Sequence, residues 1–177
     1  MVHRPRTDAK EEPTVSVTDE LLQNAERYAT AFDKGHLPLP PAKRVAVLAC
    51  MDARLNPYGL LGLAEGDAHV IRNAGGVVTA DELRSLAISQ RLLGTTEIIL
   101  IHHTGCGMLT FTDDDFKASI QADVGIKPSW AAETFTDVDE DVRQSVRRIL
   151  DDPFIPAKES VRGFVYEVET GRLREVK

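Results

Sequence analysis

Three side chains in this sequence have the types and spacing to hold a metal ion. Cys50 ends the apolar run that begins at Arg44, and His103 and Cys106 follow a second apolar run that begins at Glu97. Thiolate and imidazole together suit zinc, which takes sulfur and nitrogen ligands in a tetrahedron; three protein ligands leave a fourth position for water. The His-x-x-Cys spacing, with Gly105 and Gly107 beside the cysteine, lets one loop turn two ligands toward one point. The chain has 2 cysteines and 5 histidines. A closed Cys2His2 site that recruits His102 or His69 is therefore a structural alternative, as are two inert buried cysteines with a hydrogen-bonded histidine. His102 reads first as a packed strand residue, His69 as structural, and His3 and His36 as solvent-facing.

Asp52 and Arg54 stand two and four residues beyond Cys50. An arginine bound to a carboxylate fixes its orientation and keeps it ionised. A carboxylate held beside a metal can orient an attacking water, or it can take the fourth position itself and close the site. The plain alternative is a capping aspartate next to a solvated arginine. Two thiolates leave a Cys2His zinc core roughly neutral, so its water should be less acidic than that of a three-imidazole site, at about 7. Any hydrolytic activity should then rise toward alkaline pH.

The elements that must position these groups are strands. The runs from Arg44 to Cys50 and from Glu97 to His102 are short, nearly continuous and rich in Val, Ile and Leu, as for strands buried on both faces of a parallel sheet. Ligands bind beyond the carboxyl ends of such strands, which is where Cys50, His103 and Cys106 fall. Between them, a strand over Asp67 to Arg72 ends in Asn73-Ala-Gly75-Gly76, a loop that would line the same cleft, and a helix runs from a Thr79/Glu82 capping box to Gly94. That order is a parallel crossover. A short helix or turn is expected near Tyr58 to Leu63. Further helices are expected from Thr112 to about Ala122, started by Asp113, Asp114 and Asp115, and from about Asp137 to Leu150. The tail from Val161 reads as a strand, a turn at Glu169 to Gly171 and a short return.

Ahead of the first strand, residues 1–17 read as an arm and residues 18–35 as a helix with one apolar face, followed by a Pro-rich connector. The 177 residues suit a single domain, 42% hydrophobic and 28% charged. A net charge of −7 and no large basic cluster argue against nucleic acid. No apolar run is long enough to span a bilayer, and the amino terminus lacks a secretory apolar core. Too few cysteines for a disulfide scaffold fit a reducing, cytoplasmic compartment.

Cys50-Met-Asp52-Ala-Arg54, then His69-Val-Ile-Arg-Asn73-Ala-Gly75-Gly76, then His103-Thr-Gly-Cys106-Gly107, in that order, resemble the β-class carbonic anhydrase family, especially its compact bacterial and archaeal branch. The likeness covers Lys43 to Gly171. It implies an α/β fold with a mostly parallel central sheet flanked by helices, with residues 43–171 as the zinc-binding core. It implies one Zn2+ per chain on Cys50, His103 and Cys106, and carbon dioxide and bicarbonate interconverted by zinc-bound hydroxide beside an Asp52–Arg54 dyad. It suggests the Gly107 N–H as a substrate contact; Asn73 and Gly75, read from their place at a third strand end, are further candidates, with a tight turn as the alternative reason for the glycines. It also implies a homodimer or dimer of dimers, with the first helix over the neighbouring subunit. Relatives on this fold hydrolyse carbonyl sulfide or carbon disulfide, and a non-catalytic zinc-binding regulatory module is the alternative of a different class.

Overall fold

The two apolar runs become adjacent parallel strands at the centre of a five-stranded sheet. The structure, a computed structural model, describes residues 16–177. Its strands are β1 (Val45–Cys50), β2 (Ala68–Asn73), β3 (Glu97–His103), β4 (Ser160–Glu167) and β5 (Arg172–Val176), in the order β2-β1-β3-β4-β5. The first four are parallel, and β5 returns antiparallel against β4. Successive strand side chains point to opposite faces, so each apolar run divides between two cores. Val47, Ala49 and Ile101 pack with Leu55, Met108 and Phe135 on one face. Ala46, Leu48, Ile98 and Leu100 pack with Leu86, Ile149 and Ile155 on the other. Burial on both faces is why the runs are apolar throughout and do not alternate.

Helices α2 (Pro57–Leu61), α3 (Ala80–Leu93), α4 (Asp113–Val124) and α5 (Val138–Asp151) connect the strands. The capping box at Thr79 and Glu82 starts α3, and Gly94 ends it in the left-handed conformation. Thr112 caps α4, accepting from the Asp115 amide. These boundaries lie within about two residues of those read from the sequence. Two differences matter for the site. β3 runs one residue further, so His103 is a strand residue, and a 3-10 turn at Gly107–Leu109 follows Cys106.

The chain divides into two compact units, one ending at Leu37 and the other starting at Pro38. In the first, α1 (Val17–Thr30) starts behind a Ser16/Asp19 capping box, one residue before the expected start, and ends at Thr30, five residues short of the expected 35; none of its residues is buried. The predicted arm lies almost wholly outside the described residues, as does His3. Among the described residues, no helix is long and apolar enough to cross a membrane.

Candidate metal centre

β1 and β3 pair in register, Ala49 opposite Ile101. Their carboxyl ends therefore finish side by side, and the turn after β3 folds back to add Cys106. The ligand atoms of Cys50, His103 and Cys106 all lie within 4.8 Å of one another, and all three residues are buried. The two sulfurs are 4.0 Å apart, and His103 Nε2 is 3.2 Å from Cys50 Sγ. Zn–S and Zn–N bonds in a tetrahedron require edges of about 3.8 Å between sulfurs and about 3.6 Å between sulfur and nitrogen. The sulfur–sulfur edge is slightly longer and the sulfur–nitrogen edge slightly shorter than those values, so with small adjustments the three residues fit a zinc-sized ion with two soft donors and one imidazole.

The imidazole is set for ligation by its other nitrogen. His103 Nδ1 lies 2.9 Å from the Thr104 carbonyl oxygen, which can only accept, so Nδ1 carries a hydrogen and the neutral ring leaves its Nε2 lone pair toward the sulfurs. The Thr104 amide donates to the Tyr166 carbonyl at 2.9 Å and its hydroxyl to Glu169 at 3.0 Å, so the end of β4 and the following turn brace the ligand loop. Beneath the site, Gly76 has φ +75°, and a Cβ there would sit 2.9 Å from both the Cys50 nitrogen and the Ile101 carbonyl oxygen. Only glycine lets this loop cross the strand ends at that distance.

The pair of thiols titrates as a unit. The Cys106 thiol, hydrogen-bonded to Cys50 Sγ, drives the Cys50 thiol below its ordinary range against desolvation, and His103 assists. Cys106, beside the thiolate so formed, is pushed far above the ordinary thiol range. Burial pulls His103 down, but its bonds to Cys50 and Thr104 and the charges of Cys50 and Asp52 outweigh this and raise it. The centre thus holds one negative charge readily and a second only with a cation to offset it.

Asp52 reaches the rim of this centre, its Oδ2 lying 3.6 Å from His103 Nε2. Arg54 holds both carboxylate oxygens: Nε donates to Oδ1 at 2.9 Å, Nη2 to Oδ2 at 2.7 Å, and the Arg54 amide to Oδ1 at 2.8 Å. The Arg54 side chain is the main reason that Asp52 lies well below the usual carboxylate range. Arg54 Nη2 also donates to the Gly105 carbonyl, tying the dyad to the loop that carries Cys106.

The other candidates fall elsewhere. His102 is fully buried and pairs through Nε2 with Asp141 at 2.7 Å, and His69 Nδ1 meets the Ser89 hydroxyl at 2.7 Å. His36 Nδ1 donates to the Asp33 carbonyl. None of these joins the metal-ligand group. A cavity of about 640 Å³ opens from the three ligands, and Gly75 and Gly107 line it. Asn73 does not; its Nδ2 donates to the Val77 carbonyl at 2.8 Å and steadies the turn.

A family model described as carbonic anhydrase matches residues 45–173, a span holding Cys50, His103, Cys106, Asp52 and Arg54. The chain belongs to the β-carbonic anhydrase family. Among β-carbonic anhydrases, it is 62% identical over 162 residues to β-carbonic anhydrase 1 of Mycobacterium tuberculosis, covering 92% of this chain and 99% of that protein. It is 36% identical to a carbon disulfide hydrolase of an Acidianus species, covering 89% and 87%. The crystal structure of a carbonic anhydrase from Streptococcus mutans superposes with a TM-score of 0.86 at 42% identity, covering 93% of this chain and 99% of that one.

Two features of this β-carbonic anhydrase site carried no sequence signal that we recognised. Arg72, near the end of β2, donates through Nε to the Cys50 carbonyl at 3.0 Å and through Nη2 to the Asp52 carbonyl at 2.8 Å, fixing the turn between ligand and dyad. An arginine just after the apolar pair Val70-Ile71 of β2 was the available clue. The outer cavity is lined by Met108, Phe111, Phe116 and Trp130, which no spacing rule links across 22 residues of chain.

Proposed function

We propose that the chain catalyses the reversible hydration of carbon dioxide to bicarbonate and a proton, with one zinc ion held by Cys50, His103 and Cys106. The observation that carries this reading is the convergence of that buried ligand set with an ionised, arginine-clamped carboxylate at the mouth of an apolar cavity. When bound, zinc supplies a Lewis acid that acidifies water, more weakly with two thiolates than with three imidazoles.

The protein's own groups supply the rest. Apolar walls admit a small neutral molecule without competing for it through hydrogen bonds. Asp52, kept ionised by Arg54, accepts a hydrogen bond from the attacking water and aims an oxygen lone pair at the substrate carbon. As the new C–O bond forms, one C=O π pair moves to the distal oxygen, and the proton lost by water passes to solvent. Arg54 donates to both Asp52 oxygens and so competes with a metal for this carboxylate, although Oδ2 stands 3.6 Å from His103 Nε2; that competition favours an open fourth position over a closed regulatory site.

The test is stopped-flow carbon dioxide hydration on protein of known zinc content, from mildly acidic to alkaline pH. Turnover should rise with pH and vanish when a chelator removes the metal. Asp52 remains ionised throughout this range, so the rise belongs to the nucleophile. A rate independent of zinc, or flat with pH, would sink the reading.

The carbon disulfide hydrolase at 36% identity and the apolar cavity support a second reading, hydrolysis of carbon disulfide or carbonyl sulfide, to be assayed on the same protein. The assembly proposed with either is a homodimer or dimer of dimers, in which the exposed Leu21, Leu22 and Tyr28 of α1, with Phe32 just beyond it, gain cover. Light scattering that gave a monomer at micromolar concentration would count against it. The setting proposed is cytoplasmic.

A further inference from the structure

The cavity wall facing Phe116 of α4 comes from a segment with no regular structure. Residues 125–137 join α4 to α5, and Trp130 and Ala132 from this stretch line the cavity. The Phe116 ring stands between Phe111, with centroids 5.2 Å apart, and Trp130, at 6.1 Å. Trp130 is half exposed, at 52%, so burial alone does little to fix it.

Hydrogen bonds to one carboxylate do more. Asp113, the first residue of α4, accepts from the Ala132 amide at 2.7 Å, the Thr134 amide at 3.0 Å and the Thr134 hydroxyl at 2.9 Å. These bonds grip the chain on both sides of Glu133, whose φ of +61° is left-handed. That conformation is unfavourable for a residue with a side chain and persists where its surroundings over-determine it. So turned, Glu133 accepts from Arg148 at 3.0 Å, and Arg148 also donates to the Val78 carbonyl at 2.7 Å, just beyond the Gly75-Gly76 turn. The neighbouring acids differ. Asp115 serves the Thr112 cap, and Asp114 lies at the surface near Lys127.

We propose that Asp113 is a positioning residue: it holds the segment from Trp130 to Thr134 as the apolar wall of the cavity and thereby governs substrate capture, touching neither metal nor substrate. This rests on the carbon dioxide reading above. The amides of Thr134 and Ala132, with the Thr134 hydroxyl, also hold the Asp113 carboxyl below the ordinary range, so it remains ionised where the enzyme would work.

Trp130 is the only tryptophan of the 177 residues, so its emission reports the wall independently of any reaction. In the zinc-loaded full chain, Asp113→Ala should red-shift that emission and raise the acrylamide quenching constant about twofold. It should raise KM for carbon dioxide about 3–10-fold while kcat stays within about twofold. Asp113→Asn retains one acceptor but sets an N–H2 group against the other amide, and should fall between parent and alanine variant. Asp114→Asn removes a charge from the same helical turn and should leave quenching and KM unchanged.

The proposal is overturned if both Asp113 variants match the parent in quenching and KM. It is equally overturned if Asp114→Asn reproduces the alanine phenotype, since charge and not hydrogen bonding would then be the cause. Should the alanine variant fail to fold, the asparagine variant decides on the same readouts. A parent that did not hydrate carbon dioxide would refute the reaction assigned above, while the quenching series would still decide whether Asp113 holds the wall.

Discussion

Asp52→Asn is expected to keep its zinc and lose turnover by about 10²-fold or more, in the range of a positioned proton-handling group. The substitution keeps the size of the side chain and leaves Cys50, His103 and Cys106 in place, so metal content measured by atomic absorption should match the parent. What changes is the charge and one acceptor. An amide cannot offer both oxygens to Arg54, whose Nε and Nη2 now donate to Oδ1 and Oδ2, and an amide N–H2 turned inward would repel the hydrogen that the carboxylate accepts. The loss should fall on kcat/KM and should not be recovered at higher pH, because Asp52 is already fully ionised there. Full activity in this variant would exclude Asp52 from the chemistry.

Cys106→Ser should lose most of its zinc. The free energy of a four-ligand zinc site is about 10–16 kcal/mol, so one ligand carries roughly 3–4 kcal/mol, or about 10²–10³-fold in affinity. A hydroxyl is a poor substitute for a thiolate on this ion, and in a buried position it adds an unmatched polar group. Affinity of the parent for zinc should itself rise with pH. The metal must displace the proton that the neighbouring Cys50 thiolate keeps on Cys106, and that proton leaves more easily as pH increases. Competition titrations with a chromophoric chelator at several pH values, on parent and variant, measure both effects. An unchanged zinc affinity in Cys106→Ser would remove Cys106 from the ligand set.

The parts of this molecule that were legible in the sequence are those whose cause is local or periodic. Thr79 and Glu82 cap α3 because the capping box is four residues long, and β1 and β3 are recognisable because burial on both faces leaves no polar position inside them. Cys50, His103 and Cys106 come together because strand ends and a glycine-flanked loop are short-range geometry repeated on neighbouring strands. The outer cavity was not legible for the opposite reason. Trp130 meets Phe116 through a 13-residue segment with no period, held by Asp113, whose acidic run reads equally well as an ordinary helix start. Arg72 was missed because its partners are main-chain carbonyls, which leave no trace in residue type. His103 was placed one residue outside its strand, since a polar residue at the end of an apolar run looks like the beginning of a loop.

Two consecutive histidines close β3, and they serve opposite sides of the sheet: His103 turns to the thiols, and His102 turns to Asp141 on α5. A strand has two sides and nothing between them, so the alignment of β3 against β1 can take only one value. Moving it by a single residue would exchange a metal ligand for a helix anchor and disable both at once. The lateral pairing of the strands therefore works as the ruler of the active site. The residues between Glu97 and His103, which do not reach the cavity, are bound by the same constraint on length as those that line it.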